Sequence, residues 1–151
     1  MNSTFNIQHP TLNVFFWIVY GCVHLAACGQ SSKKDTKFQQ YFVQGEQLYL
    51  KNCSNCHQKN GGGLGRLYPP LNKSDYMDQH FEEVICIMRN GVWGELLVNG
   101  KKYNKEMKGI PSLTELEIAE IATYIYNSWE HQRGIIEIPS VENALKKCEP
   151  K

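Results

Sequence analysis

The chain has 151 residues, a length that allows one domain and leaves no room for a second of ordinary size. Lys and Arg number 16 against 15 Asp and Glu, a net charge of +1, so the basic excess that holds a nucleic acid is missing and that class of partner is excluded.

Residues 1–27 contain no Asp, Glu, Lys or Arg. Within them Val14-Phe15-Phe16-Trp17-Ile18-Val19-Tyr20 is too short to span a bilayer comfortably but suits the apolar core of a signal peptide, and a signal peptide implies export. Directly behind it Leu25-Ala26-Ala27-Cys28-Gly29 resembles the lipobox of bacterial lipoproteins, which implies that Cys28 is acylated and becomes the first mature residue. An uncleaved anchor with Cys28 as an ordinary thiol is the alternative, and either one tethers the chain to a membrane. Residues 28–37 then read as a lipidated N-terminus and flexible tether, whose nine polar residues reach roughly 17 Å as a coil.

Over residues 38–52 the apolar Phe38, Tyr41, Phe42, Leu48 and Tyr49 recur at helical spacing. At the end of that helix stands Cys53-Ser54-Asn55-Cys56-His57, the C-x-x-C-H pattern of covalent haem attachment. Two thiols at this spacing reach two vinyl groups on one porphyrin edge, and the adjacent imidazole is held beneath the iron. Cys53 and Cys56 are thus expected to become thioethers and His57 to ligate the metal. A zinc site needs a second ligand pair at similar spacing, whereas His9, His24, His80, His131, Cys22, Cys86 and Cys148 are scattered singly. A dithiol redox motif calls for a βαβ context, and no strand-like alternation precedes Cys53.

The glycine-rich Asn60-Gly61-Gly62-Gly63-Leu64-Gly65 lacks the Lys-Ser/Thr ending and preceding strand of a phosphate loop and reads as flexible backbone against the haem edge. Residues 80–90 predict a helix with Phe81, Val84, Ile85 and Met88 on one buried face, and Gly91 as its C-cap. Residues 92–111 show no regular period and read as loop. Thr114 with Glu117 predicts a capping box, Leu113 with Ile118 a hydrophobic staple, and Ile118, Ile121, Ala122, Ile125 and Trp129 the ridge of a last helix. Residues 133–151, with Pro139 and Pro150, read as a C-terminal tail. Of the six cysteines, Cys86 and Cys148 remain unassigned; an oxidising compartment would let them pair, but the flanking Ile85 and Ile87 favour an inert buried thiol at Cys86.

A haem iron with one histidine is five-coordinate, and what fills the sixth position separates electron carriers from catalysts and gas sensors; Met107, in the irregular stretch before the last helix, is placed to return a thioether to the open haem face, and Met77 and Met88 are weaker candidates. Here a family resemblance emerges. The C-x-x-C-H motif, Pro69-Pro70-Leu71, Met107 and Ile118-Ala119-Glu120-Ile121-Ala122-Thr123-Tyr124-Ile125 together resemble a class I cytochrome c over about residues 38–130. Leu71-Asn72-Lys73-Ser74-Asp75-Tyr76 and Val98-Asn99-Gly100-Lys101-Lys102-Tyr103 are most similar to the small cytochrome c domains attached to bacterial nitrite reductases, dehydrogenases and oxidases.

The resemblance implies an all-α fold, a few helices wrapped around one covalent haem c in residues 38–132. It also implies a crossing of the first and last helices through Gly45, Tyr49, Ile121 and Tyr124, and a Pro69 carbonyl that accepts the proton of His57 Nδ1. The family often has glycine two residues before the methionine and proline after it; here those places hold Lys105 and Lys108. Trp129, Tyr124 and Tyr49 are assigned to core packing.

Residues 51–73 and 101–108, expected to border the haem edge, hold Lys51, Lys59, Arg66, Lys73, Lys101, Lys102, Lys105 and Lys108 against Glu106 alone, leaving eight of the 16 basic and fourteen of the 15 acidic residues elsewhere. Such a dipole steers the haem edge toward an acidic patch on a redox partner such as a terminal oxidase, reductase or dehydrogenase. The expected function is a lipid-anchored carrier of single electrons, not an enzyme, with its haem domain facing the periplasm or cell exterior. The alternatives are a haem enzyme or gas sensor with an open sixth position, for which no distal His or Arg is placed, and a fixed haem subunit of a larger complex.

Overall fold

The structure, a computed structural model, describes residues 32–148. The expected signal peptide, Cys22 and Cys28 lie outside the described residues. Among the described residues, those from Thr36 onward form one compact unit, and the unit before it is described only from residue 32, as the start of the first helix.

That helix, α1, runs Ser32–Asn52 and so takes in residues that the sequence reading assigned to a tether. Its buried positions are Gly45 and Tyr49, with Tyr41, Phe42 and Leu48 half-buried beside them. A single turn, α2 (Ser54–His57), carries the attachment motif. It is stitched to α1 by Cys53 N–H donating to Tyr49 O at 2.8 Å and by the Ser54 hydroxyl on Leu50 O at 2.7 Å.

A short helix absent from the sequence reading, α3 (Asp75–Gln79), starts at Ser74, whose side chain accepts from Met77 N–H. Helix α4 (Phe81–Asn90) buries Val84, Ile85 and Met88 as its spacing predicted, and Gly91 caps it with φ +78°. Residues 92–111 are not simply loop. They carry strands β1 (Gly91–Val92), β2 (Leu96–Val98), β3 (Lys101–Tyr103) and β4 (Met107–Lys108). Strands β2 and β3 form a hairpin turning on Asn99 and Gly100, both at positive φ, and Val92 pairs antiparallel with Met107 across β1 and β4. At two or three residues each, these strands are too short to show alternation; the Asn-Gly pair is the hairpin signal that was available.

Helix α5 (Glu115–Ile125) has the capping box in full, with Thr114 as N-cap. Seven of the eight residues from Ile118 to Ile125, all but Glu120, are buried, as befits a helix enclosed on several sides. At its crossing with α1 a Cβ on Gly45 would lie well inside contact distance of the Glu120 carbonyl, so only glycine permits the approach. Phe42 and Tyr49 flank that point against Tyr124, with ring centroids at 5.2 and 5.3 Å. Trp129 is beyond the end of α5, at φ +51°, and not on its ridge as expected, but it packs on Tyr49 and Tyr124.

The expected tail is a correction. Residues Ile138–Lys146 form α6, with Val141 and Ala144 buried against α4 and α5. Pro139 falls in its first turn, where a missing N–H costs nothing, so a residue that looks like a breaker starts the helix. The Thr123 hydroxyl accepts from Ile136 N–H at 3.0 Å, tying the approach to α6 onto α5. A second correction concerns Cys86. It is not an inert thiol but is joined to Cys148 by a disulfide with Cα atoms 5.7 Å apart, which fastens the end of α6 to α4.

Candidate haem site

Between the motif, the loops and α3 to α5 lies a cavity of about 510 Å³, within the range of cofactor sites. Cys53, Cys56 and His57 form one part of its lining and Met107 another. Apolar side chains make up much of the rest, among them Leu71 and Pro69, Met77, Val84 and Met88, Val92, Val98, Ile121 and Ile125, and Lys105, Glu106 and Lys108 also line it.

His57 is 6% exposed, and its Nδ1 lies 3.0 Å from Pro69 O. A carbonyl only accepts, so Nδ1 carries the proton and Nε2 keeps its lone pair. Burial holds the imidazole below its usual range, the Pro69 bond opposing, and the neutral ring is the metal-binding form. Burial, with Cys56 as a lesser cause, pushes the Cys53 thiol up to about 12, so this sulfur sits uncharged at an apolar wall, as a thioether would. The exit from the motif is pinned by the Tyr49 hydroxyl, which donates to Gln58 O at 2.5 Å. That duty of Tyr49 was not legible from its place in a helix stripe.

The glycine-rich loop, expected to be flexible backbone, is packed at Gly61 and Gly63, whereas Gly62, Leu64 and Gly65 are exposed. Gly61 is buried at φ +67° with Trp129 where its Cβ would be, and its carbonyl accepts from Leu71 N–H at 2.7 Å and Asn72 N–H at 3.0 Å. The motif loop and residues 69–71 are thereby one hydrogen-bonded unit. On the far side Met107 is presented by β4, whose approach to β1 depends on Gly91 and Gly109, each without room for a Cβ. The place two residues before the methionine holds Lys105, and the glycine of this stretch is Gly109, two residues after it.

All three methionines weighed from sequence line the cavity. Met77 and Met88 belong to the helical hydrophobic core, whereas Met107 is half-buried on a strand between Lys105 and Lys108, which also line the cavity. The basic rim is less one-sided than the charge count implied, because Lys73 pairs with Glu130 and Lys102 with Glu95, each at 3.0 Å.

The chain matches the family model described as Cytochrome c over residues 42–129. It belongs to that family. It is 32% identical over 89 residues to "Cytochrome c-552" of Thermus thermophilus, covering 56% of this chain and 67% of that protein. It is also 32% identical over 94 residues to "Alcohol dehydrogenase (quinone), cytochrome c subunit" of Gluconacetobacter polyoxogenes, covering 58% of this chain but 19% of that protein. As a class I cytochrome c, the protein binds haem c covalently and serves electron transfer. The residues present fit that group: two cysteines, a histidine with a free Nε2 and a methionine converge on one apolar cavity. Helix α6 and Cys148 lie beyond the matched residues.

Proposed function

We propose that this cytochrome c is a membrane-anchored carrier of single electrons between respiratory redox partners, with haem attached at Cys53 and Cys56 and iron ligated by His57 and Met107. The observation that carries the reading is that His57 and Met107 line the same cavity as the two cysteines. When bound, the haem supplies a one-electron couple. The chain's own residues do the rest. Pro69 O orients His57, Tyr49 and Gly61 hold the turns beside it, and the apolar side chains lining the cavity supply a low-dielectric surround. Met107 is favoured over Met77 and Met88 because it alone stands outside the helical core and is free of a packing duty there.

Lys105 and Lys108 at the cavity support docking to an acidic patch on the partner. The Cys86–Cys148 disulfide supports maturation in an oxidising compartment, in keeping with export and a lipid on Cys28. Among the described residues no helix is long and apolar enough to cross a membrane. A fixed place in a larger dehydrogenase is the second reading, favoured by the similarity to a dehydrogenase cytochrome subunit.

The test is the near-infrared band of methionine-to-ferric-iron charge transfer. The oxidised protein is expected to show it, Met107→Ala to abolish it, and Met77→Ala and Met88→Ala to keep it. If the band is absent and the reduced protein binds carbon monoxide readily, the sixth position is open and the carrier reading fails. Mass spectrometry of the mature N-terminal peptide reads lipid on Cys28, and co-purification of stoichiometric enzyme subunits would turn the mobile carrier into a fixed one.

A further inference from the structure

Residues 92–107 form an excursion that is fixed at two points. Its root is the β1–β4 pair, where Val92 stands opposite Met107, and its tip is the turn of the β2–β3 hairpin at Asn99 and Gly100. The tip is bound to the start of α3 by reciprocal hydrogen bonds. Asp75 N–H donates to Asn99 Oδ1 at 3.0 Å, and Asn99 N–H donates to Asp75 Oδ1 at 2.7 Å.

Each donor is one that its own element leaves unused. Asp75 is the first residue of α3, where no earlier turn accepts its N–H, and the Ser74 side chain is already engaged with Met77 N–H. Asn99 lies within the hairpin turn, past the last ladder pair of Val98 with Lys101, at φ +50°. Two residues 24 positions apart thus satisfy each other's backbone. Both also carry walls of the cavity. Ser74, Tyr76 and Met77 line it on the α3 side, and Leu96, Val98 and Tyr103 on the hairpin side. Tyr103 ends β3, and Met107 begins β4 shortly after it.

We propose that Asp75 and Asn99 are positioning residues, whose reciprocal bonds hold the hairpin wall against the α3 wall and keep the arm that bears Met107 closed on the haem cavity. The inference deepens the carrier reading and rests on it through Met107. The pair acts at a distance from the iron, by opposing an outward swing of the arm that would withdraw the thioether and open the sixth position.

The test uses the holoprotein with three substitutions. Asn99→Gly keeps the left-handed turn and removes the side-chain acceptor, Asp75→Ala removes the other acceptor, and Asp75→Asn keeps an accepting oxygen while removing the charge. Backbone amide exchange over residues 96–108, read by mass spectrometry, is expected to quicken roughly threefold to tenfold in Asn99→Gly and Asp75→Ala, the worth of one hydrogen bond. Helices α1 and α5 should be unchanged, and Asp75→Asn should stay near wild type. The affinity of the ferric iron for added imidazole, which competes with the methionine, should rise by a similar factor in the same two variants and return in Asp75→Asn.

Unchanged exchange in both variants, or exchange quickened equally in α1 and α5, overturns the proposal. So does Asp75→Asn behaving as Asp75→Ala, because the effect then belongs to charge at the start of α3. Faster exchange with unchanged imidazole affinity confines the bonds to the hairpin and overturns their role toward Met107. Absence of the methionine band in wild type is a failure of the carrier reading instead, and the exchange pattern, which needs no sixth ligand, then decides whether the pair holds the arm.

Discussion

The two ends of the cavity are built by opposite means. On the histidine side the donors are contiguous in sequence, close one helical turn, and are held by bonds to residues a short distance along the chain. On the methionine side Met107 is placed by a two-residue strand whose partner follows α4, and by two glycines with no room for side chains. Covalent attachment demands contiguity, so chemistry writes the first side into a motif. The second side is written into pairing, which only the folded chain displays.

The largest expected effect breaks the histidine side. Cys53→Ser with Cys56→Ser removes both attachment points, so haem is lost to acid-acetone extraction, whereas single variants keep it through one thioether. Next comes the C-terminal clamp, which neither side of the cavity contains. Cys86→Ser with Cys148→Ser releases a crosslink of sequence separation 62, a loss of up to about 4 kcal/mol by loop-closure entropy, read by chemical denaturation of the holoprotein.

Gly109→Val then strikes the methionine side alone. Its Cβ would meet the backbone of Asn90 and Gly91, at a cost of roughly 1–3 kcal/mol. The methionine charge-transfer band should weaken or vanish while haem stays covalently bound. Retention of the band would show that the two sides are less independent than their construction implies.

The smallest effect lies in the frame that both sides share. Bonds from the Thr114 backbone and hydroxyl hold the Glu117 carboxyl below its usual 4.5. Its contribution is therefore present above about pH 4.5 and lost as pH falls through the lowered native value. Glu117→Gln should lower the melting temperature slightly at pH 7, and the gap should close toward pH 3.

The attachment motif, the capping box of α5 and the buried face of α4 were legible because each is a local pattern of residue types with one physical meaning; the glycine crossing at Gly45 came from the family resemblance. The Pro69 bond was anticipated through family resemblance and not from the residues themselves. Strands β1 to β4 were missed because their length defeats periodicity, although Asn99-Gly100 announced a turn. Helix α6 was missed because Pro139 was read as a stop and its apolar face spans nine residues. The disulfide was open in principle, yet pairing depends on a distance between α4 and the end of α6 that no spacing rule supplies. His131 carried no signal at all: a lone histidine in a polar stretch gains its meaning from the Leu71 carbonyl, 60 residues away in sequence.

The Cys86–Cys148 bond sets a condition on how the protein is made. Four thiols of one chain meet opposite fates, one pair oxidised to each other and one pair consumed by the porphyrin. Thiol–disulfide exchange does not distinguish them by identity, only by reach and reactivity. Cys53 and Cys56 are neighbours from the moment of synthesis, while Cys86 and Cys148 must await the docking of the C-terminal helix. An oxidant arriving before haem would therefore tend to capture the wrong pair first, and successful assembly requires a reductant for the motif to work beside an oxidant for the clamp.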